Sequence, residues 1–279
     1  MANVQYINAP NLTIQTDHKV FAYRELGERQ GIPIVFFNHL AGTLDNWDPR
    51  IIDGIAKHRW VITFDNQGVG LSNGKVPNTI QHMALDALDF IHVLGFEKID
   101  ILSFSMGGMI AQELIMLEPL LVGRLILAGT GPRGGVGIEN VTKLSDRDTV
   151  RALLTLKDVK TYLFFTRTAN GKQKAKEFLL RLKERQIDRD KSIGLKAYRT
   201  QLKAINDWGL AEPANLSEIK VPTLIVNGDA DRMVPTVNSH VLNQRITGSD
   251  LIVYEDAGHG GIFQYYKSFI SSALDFLNY

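Results

Sequence analysis

The sequence predicts an α/β fold: a mostly parallel sheet of about eight strands, flanked by helices, with a helical lid inserted late in the chain. Three observations carry this. Near-continuous apolar runs such as Ile32–Phe37 (IPIVFF) alternate with stretches of helical periodicity, as expected for strands buried on both faces. Glycine-rich or polar loops follow several of those runs, at the strand ends where open parallel sheets place their ligands. From about 133 to 214 the apolar strand runs disappear and only helical patterns remain.

Length and composition agree. The 279 residues suffice for one large core with an inserted subdomain, and 44% are apolar. Charged residues make up 22% and the formal net charge is +1, which gives no footprint for nucleic acid. Cysteine is absent, excluding disulfides, thiolate metal sites and cysteine nucleophiles. The start, MANVQYINAPNL, lacks a basic-plus-apolar signal pattern, and no apolar run reaches membrane-helix length. The expectation is therefore a cytoplasmic protein that acts on a small molecule, with neither nucleic acid nor membrane as partner and no cofactor or metal.

In chain order, residues 3–8, 12–16 and 20–26 alternate loosely and read as an antiparallel edge, ended by Gly27. After the 32–37 strand comes the loop His39-Leu40-Ala41-Gly42, then a helix over 46–57. Trp60–Phe64 is the next buried strand, running into the loop Asp65–Ser72. A helix over 79–94 presents Ile80, Met83, Ala84, Ala87, Leu88, Ile91 and Leu94 on one face. Asn78 and Gln81 are spaced for a capping box at its start, and Gly95 stops it. Ile99–Phe104 is a strand, Ser105 opens a sharp turn, and the helix that follows closes at Pro119. Residues 121–128 form another strand, passing through the Gly129–Gly135 run into the lid. Lid helices are expected over 148–165, 171–189 and 193–208. Strand and helix alternation resumes with Val221–Val226, a helix over 236–245, Leu251–Tyr254 and a closing helix carrying Phe263, Tyr266, Phe269, Ile270, Leu274 and Leu277. The division is thus a core of 1–132 and 215–279 with a cap of 133–214.

The chemistry centres on Ser105. A sharp strand-to-helix turn needs small residues two before and two after the nucleophile, and Ser103 and Gly107 meet that need. Ser103 as nucleophile would put Ile101 in the tight position, which fits poorly. A serine needs a base, and the base an orienting acid. His259, among glycines past the last strand, is the best-placed histidine; His39 is the rival in a functional-looking loop. The acid is Asp229 or Asp231, both just after a buried strand, with Asp256 too near His259 along the chain to reach its far nitrogen easily. Negative charge developing on a carbonyl oxygen must be met by backbone donors. Met106 N–H is one candidate, and the 39–42 loop should supply the second, from Ala41 or alternatively Leu40.

Together these loops resemble the α/β-hydrolase superfamily, and its compact branch of esterases and cofactor-free haloperoxidase-like enzymes. Phe36–Gly42 resembles the oxyanion loop, Asp65–Ser72 the loop of aspartate, glycine, glycine and serine, and Phe104–Gly108 the nucleophile elbow with Ser103 in place of its common first glycine. Asn227–Pro235 resembles the acid loop and Ala257-Gly258-His259 the histidine loop. The resemblance spans 20–130 and 215–279 and implies that Asp231, three after the glycine, is the acid. It also implies a Ser105–His259–Asp231 triad acting through an acyl-enzyme on a carboxylic ester of a small or medium apolar substrate. Perhydrolysis, or lactone or carbon–carbon bond hydrolysis, would use the same triad. Dehalogenase chemistry would want a carboxylate where Ser105 stands, and a silent binding protein would be expected to have a broken triad.

Overall fold

The computed structural model describes residues 4–278. Eight strands form one sheet in the order β1-β2-β4-β3-β5-β6-β7-β8. They are β1 (Leu12–Gln15), β2 (Val20–Leu26), β3 (Ile34–Phe37), β4 (Val61–Phe64), β5 (Ile99–Phe104), β6 (Val122–Ala128), β7 (Thr223–Gly228) and β8 (Asp250–Tyr254). β2 pairs antiparallel with β1 and β4, and every pairing from β4 through β8 is parallel.

The near-continuous apolar strands are explained by cover on both faces. Val35, Phe37 and Ile101 enter one buried cluster, whereas Ile34, Phe36, Leu102 and Phe104 enter the other. Helices α2 (Ile80–Val93), α3 (Met106–Leu117) and α8 (Val237–Arg245) contribute to the first cluster. Helices α1 (Pro49–Ala56), α9 (Gly261–Gln264) and α10 (Tyr266–Leu277) contribute to the second. Between β6 and β7 the chain makes only helices: α4 (Val141–Thr155), α5 (Lys160–Leu163), α6 (Ala169–Arg181), α7 (Leu195–Leu210) and short 3₁₀ turns.

Several local expectations are corrected. Residue 3 lies outside the described residues, and Tyr6–Asn8 is a 3₁₀ turn rather than a strand. The Arg185 guanidinium holds the backbone there, donating to the carbonyls of Tyr6, Ile7 and Ala9 at 3.3, 3.1 and 2.9 Å. Those carbonyls therefore find a side chain from far along the sequence in place of a neighbouring strand. Helix α2 is capped by Thr79, whose hydroxyl accepts from His82 N–H, and not by Asn78. The helix expected over 148–165 is two helices. Leu156 takes a left-handed conformation at φ 53° and ends α4, and Asp158 then accepts Lys160 N–H to start α5. The closing helix likewise breaks at Tyr265, between α9 and α10.

A pair of acids joins the loop between α6 and α7 to the loop after β4. Leu44 N–H is shared by Asp65 Oδ1 at 2.9 Å and Asp190 Oδ2 at 3.0 Å. Burial, reinforced by the adjoining Asp190 carboxylate, holds the Asp65 carboxyl well above the usual carboxylate range. A raised folded-state value means that the folded protein keeps a proton the unfolded chain has released. The resulting stability is full below the ordinary carboxylate value and is lost as pH rises through the raised one. Urea midpoints measured from about pH 4 upward should therefore fall with pH across that window, and Asp190→Asn should flatten the fall. An equally steep profile in Asp190→Asn would show that the neighbouring charge contributes nothing.

Candidate active site

The turn after β5 holds Ser105 at φ 57° and ψ −119°, a backbone conformation that only a constrained non-glycine residue adopts. The constraint is tight packing on both sides. A Cβ on Gly107 would stand 2.2 Å from the Phe37 carbonyl oxygen, so the helix start can approach β3 only with glycine there. Ser103 is buried on the strand, and its hydroxyl donates to the Ile126 carbonyl at 2.7 Å, which satisfies a polar group where space allows little else.

The side chains expected to act together are joined by hydrogen bonds. Ser105 Oγ lies 2.8 Å from His259 Nε2, and His259 Nδ1 lies 2.8 Å from Asp231 Oδ2. All three residues are buried. With Nδ1–H donating to the carboxylate, Nε2 is left to accept from the serine. The second Asp231 oxygen accepts Met233 N–H at 2.8 Å and Val234 N–H at 3.0 Å, so the carboxylate is fixed from behind.

The rival acids do other work. Asp229 accepts the backbone N–H groups of Asp256 and Ala257, each at 3.1 Å, and so shapes the turn leading to His259. Asp256 faces the inserted helices, accepting from Thr166, Thr168 and Asn170. Hydrogen bonds from Asn170 and Thr166 hold its pKa below the ordinary carboxylate value. His39, the rival base, donates Nδ1–H to the Leu40 carbonyl at 2.7 Å and is fully buried. Burial, with the Lys160 ammonium nearby, pushes its pKa down to about 3, so it stays neutral.

The expected oxyanion donor at Ala41 requires correction. Ala41 N–H already donates to Gln201 Oε1 of α7, at 2.8 Å. Ala41 sits at φ 60°, which turns the loop so that Gln201 can meet that donor. Leu40 N–H makes no hydrogen bond to a described residue and Leu40 lines the cavity beside Ser105, so this loop's free donor is Leu40. Met106 N–H is the first of α3, receives no cap from the Ser105 side chain and remains available.

Above Ser105 and His259 lies a cavity of about 360 Å³, within the range that holds small ligands. One wall is Leu40, Ala41 and Met233 of the sheet loops; Leu163, Phe164 and Tyr198 of the inserted helices form much of the other. Phe164 packs edge-on against His39, Phe104 and His259, and its carbonyl accepts Gly260 N–H at 2.7 Å. The inserted segment is thereby pinned to the loop that carries His259.

The family model for the alpha/beta hydrolase fold matches residues 32–264, taking in the five loops and the cavity. The chain belongs to the α/β-hydrolase family. Among curated α/β-hydrolase relatives, RutD of Rhizobium rhizogenes, by name a candidate carbamate hydrolase, is 26% identical over 250 residues, covering 88% of this chain and 92% of that protein. The 2-hydroxy-6-oxononadienedioate/2-hydroxy-6-oxononatrienedioate hydrolase of Escherichia coli is 30% identical, covering 83% and 80%. A solved alpha/beta hydrolase fold protein from Chitinophaga pinensis superposes with a TM-score of 0.94 at 36% identity, covering 98% of this chain and 99% of that one.

In this α/β-hydrolase, sequence reasoning missed the residues supplied by the inserted segment: Gln201, Phe164, Lys160 and Asp190. The first three lie in stretches with helical periodicity and Asp190 in the loop between α6 and α7, none of them in a motif, so nothing in the sequence distinguished them from their neighbours. The left-handed turn at Ala41 had no glycine to announce it.

Proposed function

We propose that this α/β-hydrolase cleaves a carboxylic ester of a small or medium, largely apolar substrate through an acyl-enzyme on Ser105. The observation that carries the reading is the unbroken chain of two 2.8 Å contacts from Ser105 Oγ through the His259 ring to Asp231. In the first half-reaction His259 Nε2 takes the hydroxyl proton as Ser105 Oγ bonds to the carbonyl carbon. Leu40 N–H and Met106 N–H receive the charge that gathers on the carbonyl oxygen. Asp231 keeps the imidazole in the tautomer that accepts at Nε2 and stabilises the imidazolium once formed. The alcohol leaves with the proton from His259, and water deprotonated by His259 then releases the acid. Residues 133–214 act as a cap that makes the apolar wall and excludes bulk water.

The relatives support a second reading with the same residues. One is by name a hydrolase of 2-hydroxy-6-oxononadienedioate and 2-hydroxy-6-oxononatrienedioate, and another a candidate carbamate hydrolase. A carbamate or an activated carbon–carbon bond next to a carbonyl passes through the same addition at Ser105, with a different leaving group.

A fluorophosphonate probe tests the nucleophile. The wild type should be labelled stoichiometrically at Ser105, and Ser105→Ala should be left unlabelled. Equal labelling of both proteins would refute the mechanism. A panel of esters, lactones, carbamates and vinylogous 1,5-diketones would then rank the leaving groups.

A further inference from the structure

The cavity over Ser105 has a conspicuous charge distribution. Val159, Leu163, Phe164, Ile193 and Leu195 give it a broad apolar wall. Set among them is Lys160, the first residue of α5 and the one lysine or arginine lining this cavity among the described residues; no aspartate or glutamate lines it. The Lys160 side chain is 21% exposed, so most of it is withdrawn from solvent.

Its ammonium is weakly engaged. The one ion-pair contact among the described residues is Asp158 Oδ1 at 3.8 Å, beyond hydrogen-bond range. That oxygen is committed elsewhere, accepting Lys160 N–H at 2.9 Å to start α5, and the Asp158 side chain is 41% exposed. The three ammonium donors therefore make no hydrogen bond to a described residue, on a side chain that belongs to the cavity lining. The other basic groups add no competing cation: His39 is neutral, and the Nε2 of His259 is turned to Ser105. When an apolar ligand fills the cavity and displaces water, a bare ammonium loses solvation without compensation. A ligand that brings a carboxylate restores it as a charge-assisted hydrogen bond.

We propose that Lys160 is the specificity-determining residue of this cavity, pairing with a carboxylate carried by the substrate, so that the preferred substrates have an apolar body and an anionic end. This rests on the reading of Ser105 as nucleophile and adds to it the charge of the substrate. Lysine supplies a compact point charge on a flexible stem, which suits a carboxylate whose position varies with chain length.

The test uses two ester pairs. The para-nitrophenyl half-ester of glutarate carries its carboxylate on the acyl side, and para-acetoxybenzoate carries it on the leaving group; each is compared with its own neutral methyl ester. For at least one pair, Lys160→Met should lower kcat/KM on the anionic member by about 10- to 100-fold, mainly through KM, the size expected for one hydrogen bond to a charged group. The neutral member should change by no more than about twofold, and Lys160→Arg should recover most of the loss. Which pair responds identifies the side on which the anion sits. Equal effects on charged and neutral members, or none on either pair, overturn the proposal.

A binding measurement separates this proposal from the ester reading. Calorimetric titration with glutarate needs no turnover. Wild type and Ser105→Ala should bind it, and Lys160→Met should bind about 10- to 100-fold more weakly. No binding to any of the three, or equal binding to all, overturns the role of Lys160 whatever the esters show. Failure of the serine reading is registered independently, by absence of fluorophosphonate labelling.

Discussion

Ser105→Ala should lower kcat on an activated ester by about 10⁶-fold, the order found when the nucleophile of such a set is removed, and leave KM nearly unchanged. Asp231→Asn should cost about 10⁴-fold. Asp231 Oδ1 accepts two backbone N–H groups, so an asparagine at 231 keeps its carbonyl on those donors and turns its amide N–H₂ toward His259. The ring must then expose a lone pair at Nδ1 and carry its proton on Nε2, where it blocks acceptance from Ser105. Asp229→Asn retains a carbonyl acceptor for one of its two backbone partners and does not touch His259. It should reduce stability by about 1 kcal/mol and activity far less than Asp231→Asn. The reverse ranking of the two asparagine variants would move the acid to Asp229. The strained turn adds a stability signature. Glycine tolerates φ 57° and ψ −119°, so Ser105→Gly should be inactive yet more stable than Ser105→Ala by about 1 kcal/mol in urea unfolding.

Arg181→Ala is the substitution expected to cost most in stability, about 3–5 kcal/mol, because it strands a buried charge. Asp48 is fully buried and caps α1 by accepting Arg50 N–H at 3.0 Å. Arg181 Nε and Nη2 donate to Asp48 Oδ2 at 2.9 and 2.7 Å, and Nη2 also donates to the Phe263 carbonyl at 3.1 Å. One side chain thus ties α6 to the start of α1 and to α9, just beyond His259. Burial raises the Asp48 pKa, and the guanidinium opposes that rise. Without Arg181 the carboxyl would be pushed higher still. Its folded-state value would then exceed the unfolded one by more, and the variant would lose stability most steeply as pH rises through that raised value. The deficit in Arg181→Ala should shrink on acidification. Adding Asp48→Asn should recover a large part of it at neutral pH, since a neutral amide can still cap α1. A double variant as unstable as Arg181→Ala would mean that lost packing, including the arginine's contact with the Tyr266 ring, accounts for the effect.

The sequence determined the sheet and the machinery at its edge because both are written locally. A strand buried on both faces must be apolar at most positions; Ile34–Phe37 is apolar throughout, Val61–Phe64 is broken only by Thr63, and Ile99–Phe104 only by Asp100 and Ser103. A tight turn must carry small residues, so Ser103 and Gly107 marked Ser105; the glycines after β8 marked His259, whereas the loop after β7 left Asp229 and Asp231 open, and the family resemblance implied Asp231. What the tertiary structure alone decided lies in contacts between distant segments. Ala41 lost its expected role because Gln201, 160 residues away, occupies its N–H. The N-terminal residues turned instead of pairing because Arg185 arrived to bind their carbonyls. Lys160 became the lone ammonium of an apolar cavity because its helix lies over β-strand ends formed elsewhere in the chain. Periodicity and turn composition report a residue's own backbone, but a free donor or an unpaired charge is defined by which neighbour fills the space opposite it. Only the folded chain brings that neighbour into place.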